Sequence, residues 1–307
     1  MWSRKQRFKN DVLYGVARTC LFIASYFSRR TLRSFGSRLG SFARFVVPKE
    51  RKRAEANIAR TFPDLDATER RALLVRCYRE LGSELGDVVA TLLDKPESKD
   101  HRLTVDAAGK ALLRALHGEG RGIVLASAHL GNWERVGAAL AAIPLPVTAV
   151  VREAYDPRFD GWLETVRHRA GMKAIARGAK GAAFRLVRTL RENGVLAIPM
   201  DLRSRVASVR VPFMDRPADT AVGPARLALR TGAAVVVATL AERFVTVTHV
   251  PTHDLAPDEE GERELTTRIN RELSARILAR PSSWPWMHPR WETVPDFERA
   301  PREKDKL

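Results

Sequence analysis

The segment ASAHLGNWERVG, residues 126–137, contains a histidine and a glutamate separated by four residues, His129 and Glu134. A histidine whose ring is oriented by a carboxylate is a general base, suited to removing a proton from a hydroxyl group. The spacing alone is a weak signal, because three further pairs share it: His101 with Asp106, His249 with Asp254, and His253 with Asp258. The position of each pair in the fold has to discriminate among them.

The position of His129 in the predicted fold favours it over the other three histidines with this spacing. It follows the apolar run GIVLASA, which is typical of a buried strand, and it immediately precedes a helical pattern. In open α/β sheets, ligands bind where strands end and helices begin. His101 instead precedes its strand, and His249 and His253 lie in and around a loop after the last strand.

The predicted turn after His129 is suited to a catalytic site. Gly131 and Asn132 allow a tight turn, so His129 in the turn and Glu134 one turn into the helix can face one pocket. The free N–H groups of the helix N-terminus can face a developing negative charge. The alternative, a capping His129 with a solvated Glu134, stays open at this point.

Polar residues follow two further predicted strands. Arg152 comes after residues 147–151, and Asp201 comes after residues 195–200. If these strands are parallel to the strand before His129, their carboxyl ends meet at one edge of the sheet. We therefore predict His129 and Glu134 as catalytic residues and Asn132, Arg152 and Asp201 as substrate-binding residues.

Other chemistries fit less well. Ser127 suggests a hydrolase nucleophile, but no G-x-S-x-G elbow surrounds it. The glycines of HGEGRG, residues 117–122, precede a strand, whereas a dinucleotide fingerprint follows one, and no G-x-x-x-x-G-K-S/T motif occurs. Cys20 and Cys77 have no ligand-like spacing, so we expect two buried thiols in a reducing compartment and no metal.

The elements around these residues indicate an α/β fold. Residues 1–100 read as helices, among them a long helix opened by a capping box at Asp66 and Glu69 and ended by Pro96. Its apolar stripe is predicted from Leu73, Cys77, Leu81, Leu85, Val88 and Leu92. Downstream, strands are predicted at 103–105, 122–127, 147–151, 195–200, 209–213, 234–240 and 244–249. Helical patterns occupy 108–117, 132–142, 158–170, 181–193, 223–231 and 258–279.

These strands are apolar on both faces, which predicts a mixed, mostly parallel central sheet flanked by helices. The last two strands are close enough to pair as an antiparallel hairpin. We divide the chain into an N-terminal membrane-anchoring helix (1–30), a helical region (31–100), an α/β domain that carries the chemistry (101–297) and a flexible tail (298–307).

Charge is concentrated at the N-terminus. The chain has a net charge of +17, and the first 60 residues hold 15 Lys/Arg against 3 Asp/Glu. Within them lies the apolar run VLYGVARTCLFIASYFS, residues 12–28, which is shorter than the roughly 20 residues of a full membrane span. We predict a helix that lies in the membrane interface or spans it with a tilt, with its cations on anionic headgroups. A buried helix and a cleavable signal peptide are the alternatives, and we find no nucleic-acid-binding motif.

Five segments in order resemble the bacterial lipid A late acyltransferase family, which includes lauroyl and myristoyl acyltransferases and phosphatidylinositol mannoside acyltransferases. They are AHLGNWE, VVRE, GVLAIPMD, VPFMDRPADTAVGPARLALRTGAAVV and WPWMHPRWE. The resemblance implies a glycerol-3-phosphate-acyltransferase-like fold. It also implies transfer of a fatty acyl group from an acyl carrier protein or coenzyme A thioester to a lipid hydroxyl, at the cytoplasmic face of the bacterial inner membrane.

By this resemblance, His129 is the general base, Glu134 orients and charges it, Arg152 lies near the active site and Asp201 is an acidic residue at a strand end. A thioester is already activated, so the implied reaction needs no cofactor or metal. The basic N-terminus can hold anionic lipid and an acidic carrier protein.

The acceptor stays open, because PSSWPWMHPRWE lacks the Gln usual before the aromatic in lipid A enzymes, and LRSRVAS after Asp201 lacks their acidic and aromatic residues. A lipid esterase or thioesterase, or a non-catalytic basic protein that binds membranes or nucleic acid, are the alternatives.

Overall fold

The computed structural model describes residues 3–95, 103–203, 205–241 and 244–292. The predicted tail, residues 298–307, the candidate His101 and the helix-ending Pro96 lie outside the described residues. Four helices open the chain: α1 (Arg4–Ala24), α2 (Arg29–Val46), α3 (Pro48–Thr61) and α4 (Ala67–Leu92).

Alternating strands and helices follow. The strands are β1 (Thr104–Val105), β2 (Ile123–Ser127), β3 (Val147–Val151), β4 (Lys173–Ala176), β5 (Val195–Pro199), β6 (Ser208–Phe213), β7 (Arg216–Ala221), β8 (Ala234–Ala241) and β9 (Phe244–Val250). The helices are α5 (Ala107–Gly118), α6 (Trp133–Ala141), α7 (Pro157–Arg169), α8 (Ala182–Arg191), α9 (Gly223–Thr231) and α10 (Glu259–Ala279).

The central sheet has the order β1-β9-β8-β2-β5-β3-β4. Strands β8, β2, β5, β3 and β4 are parallel, while β9 is antiparallel to β8 and parallel to β1. The predicted mixed, mostly parallel sheet and its antiparallel hairpin are therefore confirmed. His249 lies near the end of β9, which points to the opposite edge from the ends of the parallel strands.

Two strand predictions need correction. The sequence did not reveal β4 or β7, and β6 does not join the central sheet but pairs with β7 in a separate antiparallel hairpin. Met214 and Asp215 connect that hairpin with φ of 49° and 58°, a left-handed pair of the kind that tight hairpin turns require.

Helices cover both faces of the sheet, as β2 shows. Along this fully buried strand, Val124 and Ala126 pack into one apolar cluster with α4 and α10, while Ile123 and Leu125 pack into another with α5 and α6. Because side chains of a strand alternate between its faces, this strand needs apolar residues at every position.

Helix α4 packs on α2 through glycines, while Leu73 and Cys77 of its predicted apolar stripe are buried in the core. Gly82 and Gly86 of α4 face Gly36 and Gly40 of α2, and a Cβ atom at Gly82 would lie 2.1 Å from the carbonyl oxygen of Gly36. The backbones are thus in direct contact, whereas Leu85, expected in the apolar stripe, is 58% exposed. The Asp66–Glu69 capping box of α4 is confirmed.

The N-terminal helices expose much apolar surface. Helix α1 contacts α7, where the Tyr14 ring stacks on Trp162 at 5.2 Å and Asp11 pairs with Arg158 at 2.8 Å. Cys77 is buried as predicted, but Cys20 of α1 is exposed, so the expectation of two buried thiols is wrong for Cys20. None of the described helices combines the length and apolar character that crossing a bilayer requires.

Candidate active site

His129 lies in a sharp turn at the carboxyl end of β2. Gly131 has φ of 68°, a conformation that favours glycine, and its N–H donates to the carbonyl of Ser283 at 3.1 Å. Asn132 caps α6 by accepting a hydrogen bond from the backbone N–H of Arg135. The turn therefore places His129 between a buried strand and a helix N-terminus, as the sequence predicted.

Asp201 reaches His129 from the neighbouring parallel strand. Ser127 of β2 is in register with Pro199 of β5, and Asp201 follows β5 by two residues. One carboxylate oxygen of Asp201 lies 2.8 Å from Nδ1 of His129, and the other accepts the His129 backbone N–H at 2.9 Å. Asp201 is fully buried, and the indole N–H of Trp284 donates to it at 2.8 Å. One carboxylate thus fixes both the ring and the backbone of His129.

The electrostatics of this pair favour an ionised Asp201 and make His129 more basic. Burial opposes protonation of His129, but the Asp201 charge and hydrogen bond, with the more distant Glu134, outweigh it and raise the pKa of His129 above its usual value. Burial would likewise raise the pKa of Asp201, yet His129 and the Trp284 N–H hold it below its usual value. An ionised carboxylate only accepts, so Nδ1 carries the proton and Nε2 is left as the basic atom.

Glu134 does not make the contact expected of it. Its carboxylate lies 2.6 Å and 3.2 Å from two guanidinium nitrogens of Arg167 in α7, and both side chains are 10% exposed. Contact with the His129 ring comes instead from Asp201, a residue predicted only to bind substrate. The catalytic roles of His129 and Glu134 stay predictions. No hydrogen bond joins these two residues, and the negative charge of Glu134 is the smallest of the influences that raise the pKa of His129.

Asn132 and Arg152 have different surroundings. The Asn132 side-chain N–H donates to Asp87 of α4 at 2.8 Å, which makes it a link between the turn and the helical region. Arg152 is exposed after β3 and makes no hydrogen bond or ion pair with His129 or Asp201. Strand β5 separates β3 from β2, the strand that precedes His129. The Arg152 charge is close enough to Arg177, after the unpredicted β4, to help burial lower the pKa of Arg177.

Asp87 links the N-terminal helices to the turn that carries His129, a role that was not predicted from the sequence. Its carboxylate is completely buried on α4 and contacts Arg29 at 2.9 Å, Arg33 at 3.3 Å and Arg135 at 3.1 Å. Burial alone would raise the pKa of Asp87, but these guanidinium groups lower it. A carboxylate within the apolar pattern of α4 was the available signal, although Glu80 and Glu84 precede it on the same helix, and its partners come from helices that the sequence could not pair.

The C-terminal segment WPWMHPRWE closes the site. Trp284 and Trp286 are fully buried with ring centroids 4.9 Å apart, and Arg290, also fully buried, donates to the Asp219 carbonyl and to Thr220 Oγ1 at 2.6 Å. Burial lowers the pKa of His288 to about 4, although the Asp201 charge acts in the opposite direction, so His288 is neutral near pH 7. The segment therefore supports Asp201 and lines the surroundings of His129.

Comparison with known proteins identifies the family of this chain. Residues 10–293 match the family described as bacterial lipid A biosynthesis acyltransferase. The chain belongs to this family. It is accordingly an acyltransferase, and the resemblance seen in its sequence is confirmed.

Two relatives show how far this membership extends. The lipid A biosynthesis palmitoleoyltransferase of Escherichia coli strain K12 is 23% identical over an alignment of 283 residues, and the match covers 86% of each chain. The lipid A biosynthesis acyltransferase of Shigella flexneri matches with the same identity and coverage. The similarity spans both the N-terminal helices and the α/β sheet.

Proposed function

We propose that this acyltransferase transfers a fatty acyl group from an acyl carrier protein or coenzyme A thioester to a hydroxyl of a membrane lipid or glycolipid such as a lipid A precursor. The observation that carries the proposal is the His129–Asp201 pair, with Nδ1 held at 2.8 Å and the ring 25% exposed. A base that is fixed at one nitrogen and accessible at the other is suited to activating a hydroxyl.

The proposed reaction uses the side chains in the following way. Nε2 of His129 takes the proton of the acceptor hydroxyl as its oxygen attacks the thioester carbonyl carbon. Asp201 stabilises the imidazolium that forms, and free N–H groups at the start of α6 face the developing oxyanion. The carbon–sulfur bond then breaks, and the departing thiolate takes the proton from His129. The acyl group has then moved from sulfur to oxygen with no covalent enzyme intermediate.

Purified full-length protein given a labelled acyl thioester and a total lipid extract tests this reaction. We expect labelled lipid. Free fatty acid alone would instead identify a thioesterase or esterase that uses water, and neither product would support a non-catalytic membrane-binding protein. Thin-layer chromatography followed by mass spectrometry of the products distinguishes these outcomes and identifies the acceptor.

We further propose that α1 and α2 hold the enzyme on the cytoplasmic face of the bacterial inner membrane. Helix α2 buries Leu32 and Gly36 and exposes an apolar face at helical spacing, with cations around it. The exposed apolar residues of the two helices are Phe8, Val12, Leu13, Val16, Phe22, Ile23, Phe35, Leu39, Phe42, Phe45 and Val46. This surface extends beyond the predicted anchor of residues 1–30 and suits an anionic membrane interface.

Replacing Phe42 and Phe45 together by serine is expected to weaken binding to anionic vesicles. Both rings are 61% exposed, so the fold loses little, whereas each ring buried in lipid contributes about 1.5–3 kcal/mol. Vesicle co-sedimentation should report a drop in affinity on the order of 10²-fold. Phe244→Ser, at a half-exposed ring on β9, is the control, and equal binding by all three proteins would refute the docking surface.

A further inference from the structure

A cationic cleft of about 330 Å³ lies apart from the His129–Asp201 pair, between α3, the start of β7 and the C-terminal segment. It is lined by Lys52, Arg53, Ala56, Asn57, Arg60, Arg216, Pro289, Trp291 and Glu292. Four of these side chains are cationic and one is a carboxylate. The cleft therefore has an excess of positive charge.

Most of this charge has no counterion. Arg53 pairs with Glu292 at 2.8 Å, which satisfies the carboxylate of the cleft. In contrast, Lys52, Arg60 and Arg216 form no ion pair with any of the residues that the structure describes. Like charges gathered without a counterion repel each other, so an anion that enters the cleft is stabilised.

Arg216 shows an unsatisfied donor in the same place. Its guanidinium lies over the Trp291 ring, 4.4 Å from the centroid, and its buried Nη1 has no hydrogen-bond partner among the described residues. Burial and the nearby Arg60 charge both lower the pKa of Arg216. A buried donor without an acceptor destabilises a fold, so an acceptor supplied by a ligand would stabilise the Arg216 side chain.

The cleft is connected to the catalytic residues through the C-terminal segment. Asn57, which lines the cleft, donates to the carbonyl of Trp286 at 2.9 Å and to that of His288 at 3.3 Å. Trp284, two residues before Trp286, holds Asp201. A substrate group bound in the cleft is thus anchored on the same segment that supports the general base.

We propose that this cleft binds a phosphate group of a substrate. The proposal rests on the proposed acyl transfer for the identity of that substrate. A guanidinium presents paired donors that match phosphate oxygens, and Lys52 adds a point charge beside Arg60 and Arg216. The phosphate belongs either to the headgroup of the lipid acceptor or to the carrier portion of the thioester donor.

Inorganic phosphate tests the site without reference to catalysis. At constant ionic strength, phosphate should raise the melting temperature of the wild-type protein more than chloride does. The Arg60→Gln/Arg216→Gln protein should lose this difference, and Arg216→Lys, which keeps the charge, should retain part of it. Arg230→Gln, at an exposed arginine of α9, is the matched control and should behave as wild type. An identical response of all four proteins would overturn the site.

Steady-state kinetics then identify the source of the phosphate. If it is the acceptor headgroup, Arg60→Gln/Arg216→Gln raises KM for the acceptor about tenfold or more and leaves KM for the phosphatase-treated acceptor unchanged. If it is the donor, KM for the thioester rises instead. Unchanged KM values for both substrates would overturn the substrate role even where phosphate binding is lost. A wild-type protein without transfer activity would refute the proposed function. The phosphate site would still be decided by the melting-temperature measurement alone.

Discussion

His129→Ala is expected to lower kcat of acyl transfer by roughly 10²–10⁴-fold, the range typical of a positioned general base. The substitution removes Nε2, the only basic atom that the Asp201-held ring offers to an acceptor hydroxyl. KM for the thioester should change little, because the loss affects proton transfer and not donor binding.

His249→Ala is the control for this substitution. His249→Ala alters a second histidine with an acidic residue at the same spacing, but one that lies on β9, which runs antiparallel to β2's neighbour β8. His129→Gln is a second variant, since it keeps a polar side chain next to Asp201 and so protects the fold. Transfer at wild-type rates in both His129 variants, with folding verified by circular dichroism, would remove His129 from the mechanism.

Asp201→Asn is expected to have a comparable effect on kcat and also to shift the pH profile. An asparagine can donate towards Nδ1, which favours the ring form whose Nε2 carries the proton and cannot act as a base. The negative charge that raises the pKa of His129 is lost at the same time. A base works only when unprotonated, so wild-type kcat/KM should rise with pH through a pKa above the ordinary 6.5 of histidine.

In Asp201→Asn this acid limb should move to lower pH, while the plateau falls by roughly 10²–10⁴-fold. Asp254→Asn is a suitable control, because Asp254 is a surface carboxylate paired with Arg268 far along the chain from β5. A full pH–rate profile of each protein provides the measurement. An unchanged midpoint together with an unchanged plateau would show that Asp201 neither orients nor charges the histidine.

The fold could be predicted where the pattern of apolar residues was unambiguous. Strands with apolar residues on both faces, such as β2 and β8, were placed to within one or two residues. Strand β4, KAIA, was missed because it is short and two of its four residues are exposed. Strand β7, RPADTA, was missed because its buried positions include Asp219 and Thr220, whose partners come from Arg210, Asn270 and Arg290.

The helical region shows a different limit. Apolar periodicity predicted a stripe on α4, of which Leu73 and Cys77 are buried. It did not indicate the contact with α2, which is made by glycines that bring two backbones together. Periodicity weights residues by hydrophobicity and therefore underrates glycine. The paired G-x-x-x-G spacings, Gly36 to Gly40 and Gly82 to Gly86, are the signal by which this contact could have been found.

The location of the candidate site could be predicted from the sequence, but the carboxylate that contacts the His129 ring could not. Strand ends in a parallel sheet meet at one edge, so sequence order alone brought His129 and Asp201 to the same place. Which carboxylate contacts the ring depends on strand order, and β5 lies directly beside β2. Glu134 has the spacing from His129 that suggested a pair, but its carboxylate is bound by Arg167. Arg167 lies 33 residues further along the chain, so the local spacing of His129 and Glu134 could not reveal this contact.

The buried carboxylate of Asp87 joins α2 to the turn that carries His129. It binds Arg29 and Arg33 of α2 on one side and Asn132 and Arg135 of the turn and α6 on the other. A shorter fragment without α1 and α2 would leave the buried Asp87 carboxylate without Arg29 and Arg33. Breaking a buried ion pair in this way lowers the free energy of unfolding by about 3–5 kcal/mol. Structural and kinetic work on this enzyme is therefore best done on the chain with α1 and α2 retained, because the surface that we propose to meet the lipid also holds the turn that carries His129 in shape.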